Sequence, residues 1–183
     1  MERTQLRFES LQQIAGTTEM AVLTLTDMER VRALSLVCDQ QMAQQLMLRL
    51  NNPALCKTLL PEVLLQMSDT DSFEMMVLGI YDGQYQVILM NMESGASARI
   101  RMSDAVLLTL VARVPLYIEE NLMKRQCVTF NEHATGVAIP INTMDTQSLK
   151  MALDHAVEEE NYELASQLRD EINQRTDAHS ARE

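Results

Sequence analysis

Aromatic residues are scarce in this chain: tryptophan is absent, and only 4% of the 183 residues are aromatic. Methionine is abundant instead, with 14 residues, so we expect an interior packed from flexible thioethers and aliphatic side chains. Hydrophobic residues of all kinds reach 46%, which is ample for a core. The length suits one domain of ordinary size with an appendage.

Cysteines are also few. Cys38, Cys56 and Cys127 stand apart, without the close spacing of a metal site, which indicates free thiols in a reducing compartment. The polar N-terminal sequence MERTQLRFES lacks the apolar segment of a secretory signal. No apolar run approaches the roughly 20 residues that a membrane-spanning helix needs. These absences predict a cytoplasmic protein that does not enter a membrane.

Basic residues are outnumbered by acidic ones. The chain has 15 Lys and Arg against 26 Asp and Glu, which gives a net charge of −11 and a pI near 4.7. Binding to nucleic acid is driven largely by Lys and Arg that neutralise phosphates. The charge balance therefore disfavours nucleic acid as the main partner, although a local basic patch could still bind it.

The segment 98–121, ARIRMSDAVLLTLVARVPLYIEEN, is the most informative part of the chain. The segment begins with a short basic run, Arg99-Ile100-Arg101, that is predicted to be extended. A helix-start signal follows, in which the Ser103 hydroxyl would cap the helix and Asp104 would complement the positive end of its dipole. The next ten residues are nearly all apolar, so we expect a helix that is buried on most sides at the centre of the core. Pro115 ends this helix, and a strand follows.

The remaining pattern alternates between strands and helices. Asp39 is a plausible cap for the first helix, and Asp82-Gly83 joins two β-favouring runs, which is a strong hairpin signal. The order β-β-β-α-α-β-β-β-α-β predicts an α+β fold, with a mixed or antiparallel sheet packed with helices. The predicted strands are 6–14, 21–26, 31–37, 73–81, 84–91, 97–101 and 116–118, and the predicted helices are 39–50, 57–67 and 103–114.

The central segment resembles the signature of the bifunctional nuclease (BFN) domain. In that family an Asp-x-Arg-Pro-Ser-Asp-Ala run leads into a buried helix and then a Pro-Ile-Tyr-Val-type strand, and the resemblance covers about 5–128. Three positions depart from the family: Arg99 replaces an Asp, Met102 a Pro, and Gln41 a Glu in an earlier helix. The matching residues are Arg101, Ser103, Asp104, Ala105, Pro115, Tyr117 and Glu119.

The resemblance implies a nuclease, a phosphodiester hydrolase acting on DNA or RNA with Mg²⁺ or Mn²⁺ as cofactor. Its catalytic residues would be Asp104, Arg101 and Ser103, with Asp104 as acid or metal ligand and with Arg99 and Arg101 on the scissile phosphate. A cation at Arg99 opposes metal binding nearby, so the enzyme assignment stays open. In the simpler interpretation, the two arginines are solvated residues on one face of a strand, and Ser103 and Asp104 only start a helix.

Composition changes abruptly at the C-terminus, where 148–174 is charged and favours helix. The segment contains two predicted helices separated by an acidic break, and each helix has apolar residues along one face. This pattern predicts an antiparallel helical hairpin. This segment resembles the UVR motif, named for the interaction segments of UvrB and UvrC, and the matching residues are Tyr162, Glu163, Ala165, Leu168, Arg169, Asp170 and Ile172.

The UVR resemblance implies pairing with another hairpin, in a second copy of the chain or in a UVR-bearing partner. Alternatively, the apolar face docks on the body of its own chain. The expected partner contacts are Leu149, Leu153, Tyr162, Ala165, Leu168, Arg169 and Ile172.

The predicted organisation is a BFN-like domain (1–130), a linker or edge extension (131–147), a hairpin (148–174) and a disordered tail (175–183). Two functions remain open. The first is metal-dependent DNA or RNA hydrolysis with a partner-binding hairpin. The second is a catalytically inactive, nuclease-like scaffold that acts in protein–protein interaction or oligomerisation. We expect a homo-oligomer.

Overall fold

The structure is a computed structural model that describes residues 2–13, 20–132, 140–144 and 146–180, with the backbone alone for Met20 and 177–180. The chain divides into two compact units. The first unit comprises Met1–Gly79 and Tyr85–Ala138, and the second comprises Ile80–Gln84 and Ile139–Glu183. The domain boundaries drawn from the sequence stay predictions.

A mixed sheet is the frame of the first unit, and the α+β prediction is confirmed. The strands within the described residues are β1 (Arg3–Gln13), β2 (Met20–Asp27), β3 (Arg32–Asp39), β4 (Phe73–Tyr81), β5 (Gln84–Asn91), β6 (Ser97–Ile100), β7 (Leu116–Glu119) and β8 (Val128–Thr129). They lie in the order β6-β5-β4-β7-β1-β2-β3-β8. Asp82 and Gly83 both have positive φ, as the predicted tight hairpin turn requires.

Strand β7 joins the two halves of the sheet. It runs antiparallel to β1, with Leu116 opposite Leu6, and parallel to β4, with Ile118 opposite Val77. A parallel pair needs a crossover, and here the chain passes through β5, β6 and a helix before it returns as β7. All four of these side chains are fully buried, so the alternating apolar residues of the strands build the core at this junction.

Five helices of the described residues accompany the sheet in the first unit: α1 (Gln40–Asn51), α2 (Pro53–Cys56), α3 (Leu60–Gln66), α4 (Met102–Ala112) and α5 (Glu120–Gln126). Helix α1 begins as predicted, because Asp39 Oδ1 accepts a hydrogen bond from the Met42 N–H at 2.7 Å. Its inner side buries Met42, Ala43 and Leu46.

The helix predicted at 57–67 is present but shorter than expected. Helix α3 covers Leu60–Gln66, and Leu59, between it and α2, has extended backbone angles. Pro61 explains the break, because proline lacks an N–H and is accepted only in the first turn of a helix. Helix α3 therefore starts at Leu60, with Pro61 in that first turn.

Helix α4 is covered along its whole length. Met102, Ala105 and Val106 are buried, and its other side chains are half-buried, so none from Met102 to Ala112 is exposed. The helix contacts β1, β7, α1 and α3, in agreement with the expected burial on most sides. Most of the largest fully buried side chains of this unit lie on strands, as Leu23, Leu25 and Leu34 do.

Helix α5 and strand β8 were not predicted. Helix α5 is short, but Leu122, Met123 and Gln126 are buried on it. Strand β8 pairs antiparallel with the start of β3, where Ala33 lies opposite Val128. A helix of this length gives too few turns for an apolar period to stand out in the sequence, so its existence depends on tertiary packing.

The second unit contains an antiparallel helix pair, α6 (Thr146–Glu158) and α7 (Tyr162–Ser180), preceded by a short 3-10 helix (Ile141–Thr143). The predicted hairpin is confirmed. Glu160 adopts the left-handed conformation in the turn, and Asn161 Oδ1 accepts a hydrogen bond from the Leu164 N–H at 3.2 Å. No helix of the described residues is long and apolar enough to cross a membrane.

Helix α7 continues past the predicted end at 174. The predicted disordered tail is therefore wrong for 175–180, which are helical, and 181–183 lie outside the described residues. Arg175 explains the extension, because its guanidinium donates to the Met144 carbonyl at 2.7 Å and to the Asn142 carbonyl at 3.1 Å. Within the linker or edge extension predicted at 131–147, residues 133–139 and 145 lie outside the described residues, and Ile141–Thr143 form the 3-10 helix.

Candidate functional site

Helix α4 starts one residue earlier than the sequence indicated. Its N-cap is Arg101, whose backbone is extended and whose carbonyl accepts a hydrogen bond from the Ala105 N–H at 3.0 Å. Ser103 therefore lies in the first turn, and the prediction that its hydroxyl caps the helix is wrong. Strand β6 ends at Ile100, so the turn into the helix falls on Arg101 instead.

Arg101 and Asp104 form a bidentate ion pair at this helix start. The Arg101 Nε donates to Asp104 Oδ2 at 2.8 Å, and Nη2 donates to Oδ1 at 3.1 Å. This hydrogen bonding, followed by the charge of Asp104, raises the pKa of the Arg101 guanidinium. The Arg101 side chain is about two thirds exposed and that of Asp104 about one third, so a ligand in solution can reach both groups.

Asp39 supplies a second acid within electrostatic reach. It is exposed at the start of α1, a helix that contacts α4, and its charge also raises the pKa of Arg101. We call Asp39, Arg101 and Asp104 the helix-start cluster. From the sequence, Asp39 is predicted only as a helix cap. One signal for an acid at this place was available in the sequence. The family resemblance places a glutamate where this chain has Gln41, two residues after Asp39.

The neighbouring thiol is not a nucleophile. Cys38 is buried at the end of β3, and burial, with a smaller contribution from the charge of Asp39, raises its pKa to about 11. A cysteine reacts as its thiolate, so this side chain stays protonated and inert near neutral pH.

Arg99 lies on β6, an edge strand, opposite Ile88 of β5. Its side chain is exposed and forms no ion pair with the described residues. Strand β6 ends at Ile100, so Arg101 lies just outside the strand predicted at 97–101, and the shared face of Arg99 and Arg101 stays a prediction. Arg99 is still an exposed cation two residues before Arg101 of the helix-start cluster.

The donor set at this site does not fit a resident Mg²⁺ or Mn²⁺, the cofactor that the family resemblance implies. Such ions require several oxygen ligands. The helix-start cluster offers two carboxylates, of which one Asp39 oxygen already accepts the Met42 N–H, and the Arg101 cation beside Asp104 would repel a metal ion. Across the ranges that the structure describes, no group of three His, Cys, Asp or Glu side chains could hold a metal ion.

Two family models match the chain, and they agree with the resemblances found in its sequence. A model of the bifunctional nuclease domain matches residues 23–131, more than half of the chain. The chain belongs to the bifunctional nuclease domain family. A model of the UvrB/UvrC motif, a protein-interaction motif, matches residues 148–174 in the second unit. No curated protein matches the chain.

In this BFN-family chain, the UVR hairpin buries most of its own apolar stripe. Leu149, Ala156, Ala165 and Leu168 form a small core between α6 and α7, with Leu153 and Ile172 packed against it. Five of the seven predicted partner contacts therefore lie in or against the interior of the hairpin. The other two, Tyr162 and Arg169, are exposed and share one face of α7, since they are seven residues apart. Partner binding by any of them stays a prediction.

Proposed function

We propose that the BFN domain of this chain hydrolyses phosphodiester bonds of DNA or RNA at the helix-start cluster. The observation that carries the proposal is the exposed, bidentate ion pair of Arg101 and Asp104, which lies in the segment that matches the family. The pair combines a guanidinium that can bind phosphate with a carboxylate that can accept a proton.

The first step is an exchange of partners by Arg101. A phosphate can accept the same bidentate hydrogen bonds from the guanidinium that Asp104 accepts in the free protein. Exposed ion pairs contribute only about 0–1 kcal/mol, so the exchange costs little. Arg99 adds a second cation close to the incoming phosphate, which supports binding despite the net charge of −11.

The second step uses the carboxylate that this exchange releases. Asp104 would take a proton from a water molecule, whose oxygen forms a bond to phosphorus while the bond to the leaving oxygen breaks. The leaving oxygen takes a proton from solvent. Ser103, in the same helical turn, is a candidate hydrogen-bond donor to a phosphate oxygen. No metal is needed in this sequence of steps, in keeping with the donor set.

The test is a nuclease assay on single-stranded DNA, double-stranded DNA and RNA, with Mg²⁺, Mn²⁺ or a chelator. We expect Asp104→Asn to lower the rate by about 100-fold or more, since it removes the general base. Arg101→Lys should weaken substrate binding, because a lysine cannot form the bidentate contact with phosphate.

Glu93→Gln is the matched control, since Glu93 is an exposed acid in the turn between β5 and β6. It should leave the rate unchanged. An Asp104→Asn protein with full activity would contradict the assignment. Activity that appears only with added metal would contradict the metal-free sequence of steps.

The hairpin supports a second candidate, a nuclease-like scaffold without catalysis whose UVR motif binds a partner. Val157 and Tyr162 are exposed on either side of the hairpin turn, and the three glutamates 158–160 lie between them. Exposed apolar side chains of this kind could pack against a partner hairpin. Loss of partner capture on Tyr162→Ala, with Gln167→Ala as control, would support it.

The partner of the hairpin is proposed to be either a second copy of the chain or another UVR-bearing protein. The three cysteines are free, which supports our proposal that the protein works in the reducing cytoplasm.

A further inference from the structure

A cavity of about 380 Å³ lies in the first unit, lined by the last turn of α4, the end of α1 and helices α2 and α3. Small-molecule sites in proteins usually occupy about 300–1,000 Å³, so this cavity is large enough for a compact ligand. It lies at the opposite end of α4 from the helix-start cluster, since Asp104 and Ala112 are roughly 12 Å apart along the helix axis. The proposed hydrolysis does not use this cavity.

Part of the lining is apolar. Leu110, Val111 and Ala112, the last residues of α4, line the cavity together with Leu65 of α3. These four side chains are half-buried, so each still keeps some contact with water. Covering apolar surface that water still touches is favourable. This part of the lining therefore suits the hydrocarbon part of a ligand.

The polar part of the lining includes a buried ion pair between α1 and α3. Arg49 Nε lies 2.7 Å from Glu62 Oε1, yet their directions do not suit a hydrogen bond, and neither atom has a hydrogen-bond partner among the described residues. Arg49 Nη2 donates to the other Glu62 oxygen at 3.1 Å. Buried polar atoms without a hydrogen bond are commonly satisfied by ordered water or by a ligand. The pair therefore gives the cavity a polar surface with hydrogen-bonding capacity to spare.

Lys57 gives the lining its net charge. It is exposed and forms no ion pair with the residues that the structure describes. The charges of Arg49 and Glu62 cancel, so the lining carries one net positive charge, that of Lys57. Asp69 and Asp71 are close in the sequence, but both are exposed and neither lines the cavity. Water and salt screen such outlying charges more than a charge that touches the ligand.

We propose that this cavity binds a small amphipathic carboxylate, with its hydrocarbon part against the end of α4 and its carboxylate beside Lys57. The fold brings an apolar surface and an exposed ammonium group together in one cavity of ligand size. An amine would be repelled by Lys57, and a neutral molecule would gain nothing from its charge. This binding does not depend on the proposed hydrolysis.

The experiment is a titration of the full, isotope-labelled chain with octanoate, followed by two-dimensional NMR. We expect the largest changes at the amide signals of Lys57, Leu110 and Val111. Octan-1-ol has the same chain without the charge and should bind about fivefold more weakly, and octylamine more weakly still. Absence of octanoate binding, changes confined to other parts of the chain, or equal affinity for either of the other two compounds would overturn the proposal.

Reversing the charge of Lys57 tests its contact with the carboxylate. Lys57→Glu should lower the affinity for octanoate by about fivefold or more and should raise that for octylamine. The matched control, Lys150→Glu, makes the same change at an exposed lysine of α6 outside the cavity and should alter neither affinity. An unaffected Lys57 variant, or an equal effect of the two variants, would overturn the assigned contact.

Filling the cavity tests its location. Val111→Phe places a larger side chain in the lining and should remove detectable octanoate binding. If circular dichroism shows this variant unfolded, Ala112→Leu replaces it with the same expectation. Octanoate binding that survives in a folded, filled variant would overturn the proposal.

Discussion

Two arginine–carboxylate pairs of the first unit have the same chemistry in opposite environments. Arg49 and Glu62 are almost fully buried between α1 and α3, whereas at the start of α4 the Arg101 side chain is about two thirds exposed and that of Asp104 about one third. The buried pair fixes the orientation of a helix. The exposed pair contributes little to folding and can exchange its partner. Burial, not residue type, separates a structural pair from a candidate site.

The largest effect should come from breaking the buried pair on one side. Arg49→Leu leaves the Glu62 carboxylate buried without its partner, and we expect a loss of about 3–5 kcal/mol in the free energy of unfolding. Urea denaturation measures it. The double variant Arg49→Leu/Glu62→Leu should recover much of the loss, because it removes both charges. A single variant as stable as wild type would show that the pair does not hold α3.

A third carboxylate extends the comparison, because Asp27 is buried at the end of β2. Burial opposes its ionisation, but hydrogen bonds from the Arg32 side chain and from the Arg32 and Val31 N–H groups outweigh burial and lower its pKa. We expect Asp27→Asn to cost about 2 kcal/mol of unfolding free energy at neutral pH.

The effect of pH on this variant has a definite sign. A lowered pKa gives stability that is present above the usual Asp range and is lost as the pH falls through the pKa of the folded state. The difference between wild type and Asp27→Asn should therefore shrink in acid. Denaturation at neutral and acidic pH checks this, with the exposed Asp154→Asn as control. A difference that grows in acid would contradict the assignment.

The smallest effect on stability should come from the exposed pair. Arg101→Ala should change the free energy of unfolding by less than about 1 kcal/mol, since exposed ion pairs contribute little. The same urea experiment measures it beside Arg49→Leu. A loss as large as that of the buried pair would mean that Arg101 is structural, and it would remove the basis for partner exchange with phosphate.

Local signals in the sequence predicted much of the fold. Asp39 before an apolar stripe predicted the start of α1, and Asp82-Gly83 predicted the turn between β4 and β5, because both depend on neighbouring residues. The predictions failed where contacts between residues distant in the sequence set the bounds of an element. The cap of α4 fell on Arg101 because β6 ends just before it, and that ending is set by pairing within the sheet.

The candidate site was predicted only in part. Arg101 and Asp104 were named from the family signature, and their pairing follows from a spacing of three residues on a helix. Asp39 was missed as a member, since it lies more than 60 residues away in the chain and is brought near by the contact between α1 and α4.

The family, the hairpin and the α+β class follow from the sequence, because motif spacing and apolar periodicity are properties of neighbouring residues. Which apolar faces are covered follows only from the fold. The hairpin closes over Leu149 and Leu168, while Leu60, Leu64 and Met67 of α3 stay exposed. The physical reason is that burial depends on what lies opposite a side chain in space. At α3 the helix is oriented by its buried Glu62, which holds the apolar side in water.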